Sequence, residues 1–240
     1  MAMKMTTGGV TSATGFMAAG YGAGIKYQGR KDMAMIYSSM PCRAAGVFTS
    51  NVVKAAPVLW DQKIVQESVP VYAVVINSGI ANACTGKDGY EICRKTAEET
   101  GKVLGIASDG VLIGSTGVIG MQIPFDKVAN GIEKLKSGLS ANQDAGTQAA
   151  EAIMTTDTHS KQLSVTLTLD GKECHIGAMA KGSGMIHPNM CTMLCFVTTD
   201  ISISQQLLQK ALGTVVTDTF NMISVDGDMS TNDSLMILAN

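Results

Sequence analysis

Two short segments carry the residue types that acyl chemistry needs. The first is Lys181-Gly-Ser-Gly-Met-Ile-His-Pro-Asn-Met-Cys191-Thr192, where a Gly/Pro loop ends at a small residue and a threonine. An apolar run, Met193–Thr199, follows at once and reads as a buried strand. A strained loop of this kind can hold the Thr192 hydroxyl against the Cys191 carbonyl. An N-to-O acyl shift and hydrolysis would then free Thr192 as a new N-terminus. Its α-amine, with an ordinary pKa of ~7.7–8.0, can serve as base for its own hydroxyl. No Ser-His-Asp arrangement is required, which suits a chain with 3 histidines (His159, His175 and His187).

The second segment is Val111-Leu-Ile-Gly114-Ser-Thr116-Gly117-Val-Ile-Gly120. A strand followed by Gly-x-x-Gly-x-x-Gly resembles a dinucleotide loop, and Tyr27 with Lys31 offers the Tyr-x-x-x-Lys of a short-chain dehydrogenase. Such a loop must open a helix at its glycines, and Pro124 would then lie inside that helix, without an N–H and in collision with the preceding turn. The Tyr/Lys pair also precedes the glycines, in a segment with no helical periodicity. Backbone N–H groups beside the Thr116 hydroxyl suit a developing oxyanion better.

Other polar residues take structural readings. Asn77 and Asn82 flank a small-residue loop and either border the site or satisfy loop backbone. Asp226, Asp228 and Asp233 look like a cation loop but lack the bidentate glutamate of a calcium site, so they read as turn and cap residues, and no metal is assigned. His187 reads as a loop residue. Cys191 and Cys195 have nothing nearby in sequence to lower a thiol pKa, so they read as structural.

These groups must be positioned by a mixed set of elements. Met33–Ser38, Ala44–Thr49 and Val71–Asn77 read as strands, and Val111–Ile113 as a buried strand running into a glycine loop. Asp88 and Glu91 fit a capping box that opens a helix to about Leu104. Pro124 opens another, with Val128, Ile132, Leu135 and Leu139 on one face. Further helices are expected over 144–154 and 204–216. Ser164–Leu169 and Glu173–Ala180 pair as a hairpin through Asp170-Gly171. The first thirty residues read as ordered loop. The class is α/β or α+β, with layered sheets covered by helices.

Composition excludes several alternatives. The 240 residues carry 18 Lys+Arg and 20 Asp+Glu, too balanced for a basic nucleic-acid binder. Apolar residues are 45% against 16% charged, enough for a core, so disorder is excluded. No apolar run reaches the ~18 residues of a membrane span, and the first residues lack the apolar stretch of a signal peptide. The 6 cysteines form no Cys-x-x-Cys pair and no Cys/His metal spacing, which points to thiols that are mostly buried, in a reducing cytosol. The sequence stops after the apolar run Leu235–Ala239 with no cap signal, as though cut within an element and belonging to a larger enzyme.

Taken together, ten segments resemble the ornithine acetyltransferase/glutamate N-acetyltransferase family of arginine biosynthesis. They are Gly15-Phe-Met-Ala-Ala-Gly, Gly29-Arg-Lys-Asp-Met-Ala, Ala45-Gly-Val-Phe-Thr, Lys54-Ala-Ala-Pro-Val, Asn77-Ser-Gly-Ile-Ala-Asn-Ala-Cys-Thr-Gly, Ser115-Thr-Gly-Val-Ile-Gly, Ala152-Ile-Met-Thr-Thr-Asp-Thr, Ala180-Lys-Gly-Ser-Gly-Met-Ile, Pro188-Asn-Met-Cys-Thr-Met-Leu and Ser224-Val-Asp-Gly-Asp-Met-Ser-Thr-Asn-Asp. The resemblance implies an αββα sandwich shared with self-processing aminopeptidases. It implies cleavage between Cys191 and Thr192, into an alpha chain 1–191 and the first part, 192–240, of a beta chain. Cys191 stands where the family usually has alanine. Thr192 is implied as nucleophile, Thr116 and Gly117 as the oxyanion pair, and Thr155, Lys181 and Thr192 as substrate contacts. Thr156 and Thr158 share the motif of Thr155 and compete with it for that role.

The reaction implied is ping-pong transfer of acetyl from N-acetylornithine to glutamate through O-acetyl-Thr192, in the cytoplasm and without a cofactor. No motif decides whether acetyl-CoA is also a donor. A tetramer of two alpha and two beta chains is implied, with neither nucleic acid nor membrane as partner. Two alternatives stay open: an aminopeptidase of the same fold, and a catalytically incomplete fragment that lacks the later substrate contacts.

Overall fold

One strand belongs to two sheets. In this computed structural model, which describes residues 3–185 and 193–240, β3 (Met33–Phe48) runs through both. Its first half pairs with β2 (Phe16–Tyr21) and β4 (Val71–Ile80), and β4 carries β5 (Val111–Val118) in parallel. Its second half pairs antiparallel with β9 (Ser234–Ala239). From β9 the second sheet continues through β8 (Leu194–Thr199), β7 (Lys172–Lys181), β6 (Lys161–Leu169) and β1 (Met3–Thr6). The β8–β9 pair is parallel and the others are antiparallel. The register of β3 shifts between Tyr37 and Cys42, where it passes from one sheet to the other.

Side-chain alternation along these strands builds three apolar layers. Val74 and Ile76 of β4, Leu194 and Phe196 of β8, and Met236 and Leu238 of β9 meet in one core between the sheets. Their neighbours Ala73 and Val75 turn the other way, onto a core with Cys93 and Ala97 of α2 (Gly86–Leu104) and Val128, Ile132 and Leu135 of α3 (Phe125–Gly138). On the far side, Cys195 and Leu235 pack with Val216, and Ala45 and Ala239 with Leu208, both from α5 (Gln205–Thr217). This is the layered αββα sandwich expected. The sheets approach closely at Gly114, where a Cβ would sit 2.9 Å from Phe196 Cζ.

Several expected elements change. Met33–Ser38 and Ala44–Thr49 are one continuous strand, because two sheets share it. The first thirty residues contain β1 and β2, made by pairing with distant strands and not by local pattern. The helix expected from Asp88 starts at Gly86, and its cap position, Thr85, makes no side-chain capping bond. Glu91 pairs instead with Arg94. Pro124 does stand at the N-terminus of α3, Asn142 caps α4 (Gln143–Ala152) and Ser204 caps α5. The apolar run before Asn240 is β9, paired on both sides.

A buried acid joins α1 (Ala56–Gln66) to β5. Asp61 is fully buried, and its Oδ1 accepts the Ile113 N–H at 2.8 Å. Oδ2 meets no hydrogen-bond partner among the described residues, and burial pushes the carboxyl well above its ordinary pKa. Above the unfolded carboxyl pKa of ~3.9, the folded chain therefore binds more protons at this position, and stability falls as pH rises. Asp61→Asn keeps an acceptor for Ile113 without the ionisable proton. It is expected to shrink the difference between urea midpoints measured at pH 5 and pH 8.

Candidate active site

β5 does not end at its first glycine. It runs on through Gly114-Ser-Thr-Gly117 to Val118, so the expected loop is strand, and α3 begins only at Phe125. That removes the dinucleotide reading, since no helix opens at the glycines. Gly117 pairs with Gly79 of β4. Its φ is +134°, and a Cβ there would lie 2.3 Å from the Gly79 carbonyl carbon, so no larger residue fits. The strand passes from buried Thr116 to exposed Gly117 at the wall of a cavity of about 720 Å³.

The cavity brings together residues far apart in sequence. Thr116, Gly117, Thr155 and Lys181 all line it. Lys181, the last residue of β7, is only 3% exposed. Its ammonium donates to Thr155 Oγ1 at 2.7 Å and to Thr116 Oγ1 at 3.1 Å. Thr156 also lines the cavity, but Thr155 is the member of its motif that receives the lysine. Thr158 instead meets His159. Cys191 and Thr192 lie outside the described residues, as does His187. Met193, directly after them, leads into β8.

Two aspartates flank the ammonium. Asp157 Oδ1 accepts from Lys161 at 2.6 Å and from the Gly182 N–H at 2.8 Å, while Oδ2 accepts the Thr155 N–H at 3.3 Å. Burial alone would raise its pKa. Those three hydrogen bonds and the Lys181 charge outweigh burial and hold it below the usual carboxylate range. Asp233 is fully buried, with Oδ1 accepting the Met193 N–H at 3.0 Å and Oδ2 meeting no hydrogen-bond partner among the described residues. Burial pushes it up to about 7, against the opposing pull of the Met193 N–H, nearby Ser230 and the Lys181 charge. Lys181 itself is lowered by burial and by Lys161, with Asp157 and Asp233 acting the other way.

Neither aspartate stands out by sequence. Asp157 sits in Thr-Thr-Asp-Thr, and Asp233 reads as a turn residue until β9 places it beside Met193. Asp226 and Asp228 do line the cavity. Asp226 accepts the Met185 N–H at 2.5 Å, and among the described residues no cluster of metal-ligating side chains forms. Asn77 donates to the Ile80 carbonyl at 2.8 Å and Asn82 to the Gly89 carbonyl at 2.9 Å, so both satisfy loop backbone. Tyr27 and Arg30 also line the cavity, with Arg30 donating to the Met154 carbonyl and lying over the Tyr27 ring. Lys31 is turned to Glu151 at 2.8 Å. Cys195 is buried, its thiol pushed up to about 12, in keeping with a structural role.

With this geometry in view, comparison with known proteins is decisive. The model of the ArgJ family matches residues 17–240. The chain belongs to the ArgJ family. It is 52% identical over 227 residues to the arginine biosynthesis bifunctional protein ArgJ of Thermotoga neapolitana, covering 94% of this chain and 56% of that protein. The chain thus spans little more than half the length of that curated ArgJ relative. The solved ArgJ structure from Bacillus halodurans superposes with a TM-score of 0.75 at 39% identity, over 80% of this chain and 98% of its own. Ornithine acetyltransferase from Mycobacterium tuberculosis, solved in complex with ornithine, gives 0.72 at 37% identity, over 80% of this chain and 100% of its own. The L-aminopeptidase D-Ala-esterase/amidase of Ochrobactrum anthropi, a variant of the Ntn-hydrolase fold, shares the fold alone, at 11% identity and a TM-score of 0.57 over 97% of this chain and 74% of its own.

The depressed lysine is directly measurable. In a sample labelled with ¹³C at lysine Cε, one resonance is expected to titrate below the others. It should vanish in Lys181→Met. If every lysine titrates together near its ordinary value, the ammonium is not desolvated as described.

Proposed function

We propose that the chain carries the nucleophile and oxyanion side of a cytoplasmic acetyltransferase that moves acetyl from N-acetylornithine to glutamate. The observation that carries this reading is the buried Lys181 ammonium held between the Thr116 and Thr155 hydroxyls at the cavity wall. Both substrates possess an α-carboxylate, and a desolvated ammonium is a strong partner for one. Membership of the ArgJ family and the ornithine complex of the Mycobacterium tuberculosis enzyme support the substrate class.

The chemistry follows from the residue types. The chain cleaves itself between Cys191 and Thr192. The freed α-amine of Thr192 takes the hydroxyl proton while Oγ1 attacks the acetyl carbonyl. Thr116 and Gly117 donate to the tetrahedral oxyanion. Lys181 holds the hydroxyl oxygen of Thr116, so the Thr116 proton is free to point at that oxyanion. Ornithine departs with the proton. Glutamate's amine then attacks the O-acetyl ester, and N-acetylglutamate leaves through the same oxyanion site. The share of this chain that the solved relatives cover fits, in length, an alpha chain of 191 residues. Four-fifths of 240 residues is about 192, and that share of this chain covers nearly all of each solved ArgJ-type chain. The working assembly in this reading is two alpha and two beta chains.

Intact-mass analysis of the purified protein is expected to give fragments 1–191 and 192–240, the second beginning with Thr192. Thr192→Ala should abolish cleavage and acetyl transfer together, and survival of either removes Thr192 from its role. Thr116→Val should cost ~10²–10³ in kcat, the usual effect of losing one oxyanion donor. Release of amines from peptide amides without acetyl transfer would assign the site to an amidase.

A further inference from the structure

Asn232 is buried, and both polar atoms of its side chain have partners. Nδ2 donates to the Ser115 carbonyl at 2.8 Å and to the Ala81 carbonyl at 2.6 Å. Oδ1 accepts the Thr231 hydroxyl at 2.6 Å. Only the amide nitrogen, with its two protons, can serve two carbonyls, so the side chain has one orientation. Asn77 and Asn82 serve loop carbonyls 3 and 7 positions away. Asn232 instead reaches carbonyls 117 and 151 positions away, on β5 and on the stretch after β4. It also lines the cavity, together with Thr116 and Gly117.

These bonds enclose Thr116 and Gly117. The Ser115 carbonyl belongs to the rigid peptide plane that ends on the Thr116 Cα. Holding that oxygen fixes the atom from which the Thr116 side chain and the Gly117 peptide both issue. Ala81 closes the other side, because its N–H donates to the Val118 carbonyl at 2.9 Å. Asn232 thus grips the residue before the pair directly and the residue after it through Ala81. β5 is the last strand of its sheet, with β4 as its strand partner, so a hold from outside the sheet has a place to act.

We infer that Asn232 is a positioning residue for the oxyanion donors, setting Thr116 and Gly117 through the backbone on either side of them. This rests on the reading of those two residues as the donors given above. The oxyanion forms only as the acetyl carbonyl becomes tetrahedral, so donor placement bears on the transition state more than on bound substrate. A misplacement of about 1 Å costs ~10²-fold in rate. Lys181 and Thr155, which hold substrate in this reading, make no hydrogen bond to Asn232. Loss of Asn232 is therefore expected in kcat and not in KM.

Asn232→Ala is expected to lower kcat for acetyl transfer roughly ten- to a hundredfold. KM for N-acetylornithine and the calorimetric Kd of ornithine are expected within about threefold of the unmodified chain. Asn82→Ala removes a buried asparagine amide away from this cavity and controls for lost packing. It is expected to keep kcat within about threefold. Circular dichroism and melting temperature establish that each variant is folded at the assay temperature. If Asn232→Ala is not, Asn232→Ser, which leaves one donor for two carbonyls, takes its place under the same criteria. Unchanged kcat, an equal loss in Asn82→Ala, or a loss confined to KM overturns the inference and leaves the functional reading standing. An unmodified chain that transfers no acetyl overturns that reading and the inference with it.

Discussion

Lys181 keeps an ammonium where only 3% of the residue meets solvent, and that burial sets conditions on every element around it. Taking a charge out of water costs several kcal/mol even after the protein relaxes. The cost is offset by two hydroxyls within hydrogen-bond distance and by two carboxylates acting through space. Those groups come from three different places. Thr116 arrives only because β5 runs on through its glycines. Thr155 arrives because Asp157 pins its loop to Gly182, next to the lysine itself. Asp233 arrives because β9 lies beside β8 in parallel. The site is thus the point where both sheets and one loop must agree about a single nitrogen atom.

This explains which parts could be read in advance. Strand alternation in Ser164–Leu169, the Asp170-Gly171 turn and the apolar face of α3 are local patterns, and they appear where expected. β1 and β2 are not local. Their residues, largely Met, Ala, Gly and Thr, acquire strand geometry from partners more than a hundred positions away for β1 and from β3 for β2. The glycines of β5 suggested a loop because glycine is weak in strands. They are strand because a neighbouring sheet and a neighbouring strand press closely against them.

The same logic applies within the site. Thr116, Gly117, Thr155 and Lys181 were named by resemblance, and the fold gathers them in one cavity. Asp157 carries no sequence signal of its own, and Asp233 reads as a turn and cap residue, because an aspartate beside threonines or serines has that local pattern. Their meaning lies in partners 25 and 40 positions away. Asp61 is similar, with its partner Ile113 lying 52 positions on. Buried acids of this kind become legible only when the topology says which backbone groups they meet.

The shared strand β3 has a consequence for how the molecule comes apart. Side chains alternate with period two, so a slip of one residue inverts every face of a strand. In β3 such a slip would be felt twice, once against β4 and once against β9, unless the irregularity between Tyr37 and Cys42 absorbed it. Neither sheet can loosen its half of that strand without disturbing the partner sheet. The core between them, with Ile76 from one side and Phe196 from the other, ties them a second time. Two sheets are thereby fused into one cooperative unit, and the cavity lies where they join, with Thr116 from one and Lys181 from the other in its wall.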